Sequence, residues 1–442
     1  SSRMKFAQAT NKSRISSTEL LSTFPADRNA TVPSNGGAGY NASTRHHPDL
    51  NEGSMITRRS LLKRTAVATP AWLLARSVPA FADDPQGGLI VHERVPHNAE
   101  PPLDRLVESW ITPNELFYVR SHAPVPEIDP QTFRLTVEGL VNEPLSISLG
   151  ALNEGHPRQT VIATMTCAGN RRNEHNDVKS VSGVMWQAGA IGNAEWSGVR
   201  LSDVLRRAGV QEAARHVWFE GLDQVERSNG VIPFGASIPI DKAMQDEEDM
   251  PGALIATEMN GEPLSPDHGF PVRTVVPGYI GARSVKWLGK IVVSDRPSPN
   301  HYVDRAYKLV DQDADDQWSA APPIETYVIN SVTCRPAAGD AVSPGKLTVQ
   351  GYALAAGVPD RTVKSIEISS DNGRTWQNGE FQKEARAYCW RLWTARVTVH
   401  SETTELIVRA TDSEDNVQPE SVAWNLKGYL YNAWHRTPID VR

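Results

Sequence analysis

From Lys346 to Thr411 the chain is a succession of short alternating runs with turn signals between them, and this pattern limits that part to an all-β unit. The runs are Lys346 to Tyr352, Val363 to Ser369, Trp390 to Val399 and Thr404 to Thr411. Ser370-Asp-Asn-Gly373 lies between two of them and is a hairpin signal, because Asn and Gly accept the positive φ of a tight turn. Evenly spaced short strands predict an immunoglobulin-like sandwich. Upstream the character changes. Phe133-Arg-Leu-Thr-Val-Glu138, Thr160 to Met165, Val217-Trp-Phe-Glu220 and Val272 to Val276 read as strands. Pro102 to Ser109 and Leu201 to Ala208 have helical spacing, with Ser202 as a candidate N-cap. Helices and strands mix without βαβ alternation, so the class is α+β: a mixed domain followed by an all-β sandwich. The break falls at the acidic stretch Asp311 to Asp316, followed by Ala320-Ala-Pro-Pro323, which reads as a linker. The expected domains are therefore residues 83–315 and 316–442.

The amino terminus reads as a targeting segment over residues 55–82. Met55-Ile-Thr leads to Arg58-Arg59-Ser-Leu-Leu-Lys63, then to a moderately apolar region, then to Ala80-Phe-Ala82 with its small-x-small cleavage pattern. An arginine pair ahead of a weak apolar region is the twin-arginine pattern. It predicts export of a folded protein to the periplasm. The apolar region cannot serve as a membrane span, since Pro70, Arg76 and Pro79 interrupt it. Residues 1–54 are rich in Ser, Asn, Thr and Gly without a periodic apolar face, and are expected to be a disordered extension or an artefact of the assigned start. Without the 11 basic and 4 acidic residues up to Ala82, the remainder carries 34 basic and 48 acidic residues, a formal −14. Such an acidic balance argues against nucleic acid as a partner and would suit a basic electron-transfer protein.

The three cysteines, Cys167, Cys334 and Cys389, form no CxxC or CxxCH pattern. The sharpest segment is Thr164-Met-Thr-Cys-Ala-Gly-Asn-Arg-Arg172. A cysteine ends an apolar strand, and two arginines follow a glycine. Nearby cations favour the thiolate, a soft ligand for a transition metal. Arg171 and Arg172 would then hold an oxyanion through charge-assisted hydrogen bonds. The same residue types also describe a core cysteine flanked by two surface arginines.

Further motifs separate these readings. The Cys167–Arg172 segment resembles the core of the sulfite oxidase family. So do Gly183-Val-Met-Trp186, Gly189 to Gly198, His268-Gly-Phe-Pro-Val-Arg273 and Val276 to Leu288. Asn114 to His122, Phe219 to Asp223, Trp390 to Trp393, Asn416 to Pro419, Trp424 to Gly428 and Asn432 to Arg436 resemble it as well, in one order along the chain. The resemblance implies a molybdopterin cofactor with its molybdenum bound by Cys167. It implies that Phe117, Tyr118, Arg120, His122, Asp223, His268, Arg273, Ser284 and Lys286 hold the pterin and its phosphate. Arg120, Arg172, Trp186 and Tyr307 correspond to the family's substrate pocket. Lys427 stands where a further arginine is usual, so the charge is kept and the planar fork lost. The implied activity is oxidation of sulfite to sulfate. A homodimer through the sandwich and an external acceptor, first a c-type cytochrome and otherwise oxygen, are further implications. Other substrates remain open: nitrate, through the likeness of Arg172-Asn-Glu-His-Asn176 to the nitrate reductase branch, or a sulfoxide. So does a cofactor-free binding protein.

Overall fold

The computed structural model describes residues 88–246 and 250–442. Residues 1–54 and the export pattern at 55–82 lie outside the described residues. Among the described residues no helix is long and apolar enough to cross a membrane.

Two principal sheets organise the first part. In the five-stranded sheet the order is Gly235–Pro239, His216–Gly221, Leu288–Ser294, Arg134–Gly139 and Leu145–Ser148. Only Leu288–Ser294 and Arg134–Gly139 run parallel, and the other pairs are antiparallel. The helices Leu201–Ala208 and Ile240–Met244 cover its apolar residues, and Leu135, Val217, Phe219, Ile291, Val204 and Leu205 make one core. Leu201 to Ala208 is helical as expected. Its N-cap is Arg200 rather than Ser202, which lies inside the first turn and accepts from Arg206 at 3.3 Å.

The second sheet has the order Glu262–Pro263, Leu254–Met259, Ile191–Arg200 and Arg158–Thr166. Arg158–Thr166 is a nine-residue strand whose first three residues are exposed or half-buried and whose last four are buried. It therefore carries the chain from the surface into the interior over about 30 Å. A small sheet of Ile90–Glu93, Asn98–Glu100 and Val119–Arg120 lies at the start.

Residues 330–441 form the β-rich part. Asn330–Arg335, Gly345–Leu354, Arg391–Val399 and Glu380–Phe381 make one antiparallel sheet. Gln377–Asn378, Val363–Ser369, Glu405–Asp412 and His435–Pro438 make the other. Val349, Trp393 and Val397 from the first and Ile366, Leu406 and Val408 from the second share one core. The Ser370–Gly373 turn forms as expected, with Asn372 and Gly373 at φ +62° and +79°.

The acidic stretch near 311–323 is not a bare linker. Asp315–Ala320 is a helix, and Trp318 is buried, its indole donating to Asp313 at 2.8 Å and its carbonyl accepting from Lys308 Nζ at 2.7 Å. The acidic side chains that suggested a loop are its solvent face. Between the last two long strands the chain returns to the first part: Leu426 N–H donates to Val310 and Leu430 N–H to Ala168, at 2.8 and 2.7 Å.

Candidate active site

The buried end of Arg158–Thr166 delivers Cys167. Its N–H donates to Ala190 at 2.9 Å, and its Sγ accepts from the Gly169 N–H at 3.4 Å. A Cβ at Gly169 would sit 2.4 Å from Arg172 Nη2, so a side chain here would displace the Arg172 guanidinium. Arg171 then takes φ +65° and the helix Arg172–Val178 begins.

That turn separates the two arginines. Arg171 is fully buried and faces away from the sulfur. It grips Glu174 with two nitrogens, each at 2.7 Å, and donates to Asn330 Oδ1 at 2.7 Å and to the Ala433 carbonyl at 2.8 Å. It is a tie between the Cys167 loop and the β-rich part, and the expectation that both arginines hold an anion is corrected. Arg172 alone faces the cavity side. It is braced by the carbonyls of Val184 and Lys427, at 2.6 and 2.8 Å.

Two cavities meet at Cys167. The inner one encloses about 640 Å³. All ten residues expected at the cofactor line it: Phe117, Tyr118, Arg120, His122, Cys167, Asp223, His268, Arg273, Ser284 and Lys286. The outer one is about 1150 Å³ and is lined by Arg120, His122, Cys167, Arg172, Tyr307 and Lys427, among others. Arg120, His122, Cys167 and Tyr307 belong to both. Trp186 lines neither. It is fully buried in an apolar cluster, edge-on to His92 at 5.0 Å, so the structure does not bring it to the basin with the arginines.

The inner cavity ends in buried cations. Arg273 donates to the carbonyls of His268 and Ser284 at 2.9 and 3.2 Å, and Lys286 donates to Ser121 Oγ and the Asp267 carbonyl at 2.7 and 2.8 Å. Among the described residues neither is in an ion pair with a carboxylate. Burial pushes Arg273 down to about 10; burial and then Arg273 push Lys286 down to about 7. His268 is held neutral, pushed down to about 3 by burial and then by Arg273. Asp267 and Asp223 offset the Lys286 charge only in part; buried charge is costly, and a dianionic group in this cavity would relieve it. Asp223 accepts from the Phe234 N–H at 3.0 Å and is raised by burial, a group suited to amine donors.

In the outer basin burial, then Arg120 and Lys286, hold His122 well below the ordinary imidazole range. Its Nε2 shares a hydrogen bond of 3.0 Å with the Tyr307 hydroxyl, which burial keeps protonated. Tyr307 sits at φ +52°, a strained value for a non-glycine residue, and stacks on Tyr429 at 5.2 Å and 19°. Lys427 Nζ lies 3.1 Å from Ser182 Oγ at the rim. Sequence reasoning missed Tyr429, Arg227 and His301, which also line this basin. Tyr429 directly follows the Trp424–Gly428 motif, a signal that was available; Arg227 and His301 carry no local signature.

The comparisons bear on this geometry directly. Residues 122–302 match the oxidoreductase molybdopterin binding domain, and residues 321–442 the Mo-co oxidoreductase dimerisation domain. The sulfite oxidase of Gallus gallus is 45% identical over 80% of this chain and 79% of its own length. This chain belongs to the sulfite oxidase family. A second member, the sulfite oxidase of Arabidopsis thaliana, is 40% identical over 79% of this chain and 93% of its own. Among solved structures, the sulfane dehydrogenase SoxCD from Paracoccus pantotrophus superposes with a TM-score of 0.65 at 25% identity, covering 83% of this chain and 90% of that one. As a family member the chain is an oxidoreductase whose cofactor is molybdopterin-bound molybdenum. The cradle fits that group: one free, buried cysteine stands at the junction of the cavities, and the buried cations Arg273 and Lys286 line the inner one. Among the described residues no cluster of three or more His, Cys, Asp or Glu offers a separate metal site.

Proposed function

We propose that this enzyme oxidises sulfite to sulfate, with water as the oxygen source and two electrons and two protons released per turnover. When bound, the molybdenum carried by molybdopterin would supply the two-electron redox chemistry. The protein's residues do the rest. Cys167 holds the metal, with Phe117, Tyr118, Arg120, His122, Asp223, His268, Arg273, Ser284 and Lys286 around the pterin and its phosphate. Arg172 and Arg120 orient the oxyanion by charge-assisted hydrogen bonds, and Lys427 draws it in from the rim. Tyr307 donates a hydrogen bond near the reacting oxygen, and His122, held neutral, keeps the phenol aimed. Trp186 packs in the same apolar cluster as Cys167.

The observation that carries this reading is the outer basin: an open approach that Arg120, Arg172, Arg227 and Lys427 line and that shares Cys167 with the cofactor cradle. The enzyme acts in the periplasm after twin-arginine export, a reading supported by the residue 55–82 pattern. Its acceptor is a c-type cytochrome, a pairing supported by the formal −14 of the residues beyond Ala82. It is a homodimer through an immunoglobulin-like sandwich, supported by the dimerisation-domain match and the two-sheet core.

The test is made on molybdenum-loaded protein. Sulfite-dependent reduction of ferricytochrome c is expected, with little sulfite-dependent oxygen uptake. Oxygen uptake without cytochrome reduction overturns the acceptor, and nitrate turnover without sulfite turnover overturns the substrate. Cys167→Ser is expected to lose molybdenum by elemental analysis while keeping its circular dichroism.

A further inference from the structure

One aromatic ring of the basin, that of Tyr429, is in contact with two groups central to the proposed chemistry. Tyr429 stacks against Tyr307 with centroids 5.2 Å apart and planes 19° apart. The guanidinium carbon of Arg172 lies 5.2 Å from the centroid of the same ring. Tyr429 is itself rigidly placed. Asn425 accepts from its N–H and donates to its carbonyl, both at 2.9 Å. The N–H of Asn425 donates to His175 Nε2 at 3.2 Å, and His175 is on the helix that starts at Arg172. The preceding Gly428 has φ +59°, and a Cβ there would meet Arg172 Cγ at 2.9 Å, so only glycine lets the ring come this close.

Arg172 and Tyr307 are on segments far apart in sequence, and among the described residues no hydrogen bond joins them. Both are in contact with the Tyr429 ring. We propose that Tyr429 is a positioning residue: it fixes the Arg172 guanidinium and the Tyr307 phenol relative to one another, and so sets how tightly the basin holds a tetrahedral or pyramidal oxyanion. The inference rests on the sulfite reading and deepens it, since it makes the β-rich part of the chain a determinant of anion affinity through an aromatic face as well as through Lys427.

The experiment uses the molybdenum-loaded holoenzyme and two variants, Tyr429→Phe and Tyr429→Leu. Sulfate binding to the oxidised enzyme is measured by titration calorimetry, alongside the KM and kcat for sulfite, the molybdenum content and the melting temperature. A stacked ring and a cation over it are together worth roughly a tenfold change in affinity. Tyr429→Leu is expected to raise sulfate Kd and sulfite KM together by about tenfold at wild-type molybdenum content. Tyr429→Phe, which keeps the ring, is expected to stay within about twofold. If Tyr429→Leu loads molybdenum poorly, Tyr429→Met, of similar volume without a ring, replaces it. Wild-type Kd and KM in the ringless variant overturn the proposal, as does a change in melting temperature alone. A wild-type enzyme that binds sulfate but does not turn over sulfite sinks the substrate reading and leaves the anion-positioning role standing. One that binds neither removes both.

Discussion

Arg171 and Arg172 are adjacent in sequence and should fail in different ways. Arg171→Met removes a guanidinium held by both oxygens of Glu174, by Asn330 and by the Ala433 carbonyl, four contacts of 2.7–2.8 Å. The arginine side chain has no exposure and that of Glu174 keeps 24%, so the carboxylate left behind is partly rescued by water. Breaking a buried pair from one side costs about 3–5 kcal/mol, and the residual exposure of Glu174 puts the loss near the lower end. At roughly 2–4 °C per kcal/mol, the melting temperature of the holoenzyme should fall by about 10 °C. Arg172→Met removes a cation facing the basin whose protein contacts are chiefly carbonyls. It should lower melting much less but raise the sulfite KM by about tenfold or more, the worth of a charged hydrogen bond. Thermal melts by circular dichroism and steady-state kinetics at matched molybdenum content separate the two. If Arg171→Met melts within about 2 °C of wild type, or if it raises KM as Arg172→Met does without loss of stability, the division of labour between them is wrong.

Three further outcomes follow from the cradle and basin. Lys286 is pushed down to about 7 in the fold from an unfolded value of 10.5, so without a bound anion its penalty grows as pH falls from about 10 to about 7. Cofactor-free protein should therefore melt at higher temperature at pH 9.5 than at pH 7, Lys286→Met should flatten that slope while lowering molybdenum loading, and an unchanged slope in the variant refutes the assignment. Tyr307→Phe should lower kcat for sulfite by about tenfold or more, with the circular dichroism retained, and unchanged turnover removes the phenol from the chemistry. Lys427→Arg, which adds a planar fork at the rim, should lower the sulfite KM several-fold, and a higher KM would show that the lysine's reach toward Ser182 matters more than the fork.

The strands at Phe133–Glu138, Thr160–Met165 and in the β-rich part were readable because their side-chain alternation is a local consequence of the pleat. The cysteine was readable only with the other family motifs beside it, because a thiol between an apolar strand and a glycine-arginine turn also suits a core position. Other features depended on tertiary context. Nothing in the pair Arg171-Arg172 tells which one faces the cavity; that follows from the positive φ at Arg171 and from the return of residues 426–434 across the loop. The acidic run at 311–316 looked like a linker because its charges face solvent, while Trp318, the residue that anchors it, gives no periodic signal by itself. Trp186 matched a pocket position by motif, yet its indole is fully buried in the apolar cluster.

The return segment has a consequence for dividing this enzyme. Its Lys427 and Tyr429 complete the rim of the basin, while Arg171 clamps the loop that bears Cys167 to the carbonyl of Ala433. A fragment ending at residue 315 would possess nearly every group expected around the pterin yet lack one wall of the approach to it. Grafting this chemistry onto another scaffold would therefore mean transplanting the closing strap together with the cradle, since Lys427 and Tyr429 at the entrance both come from the end of the chain.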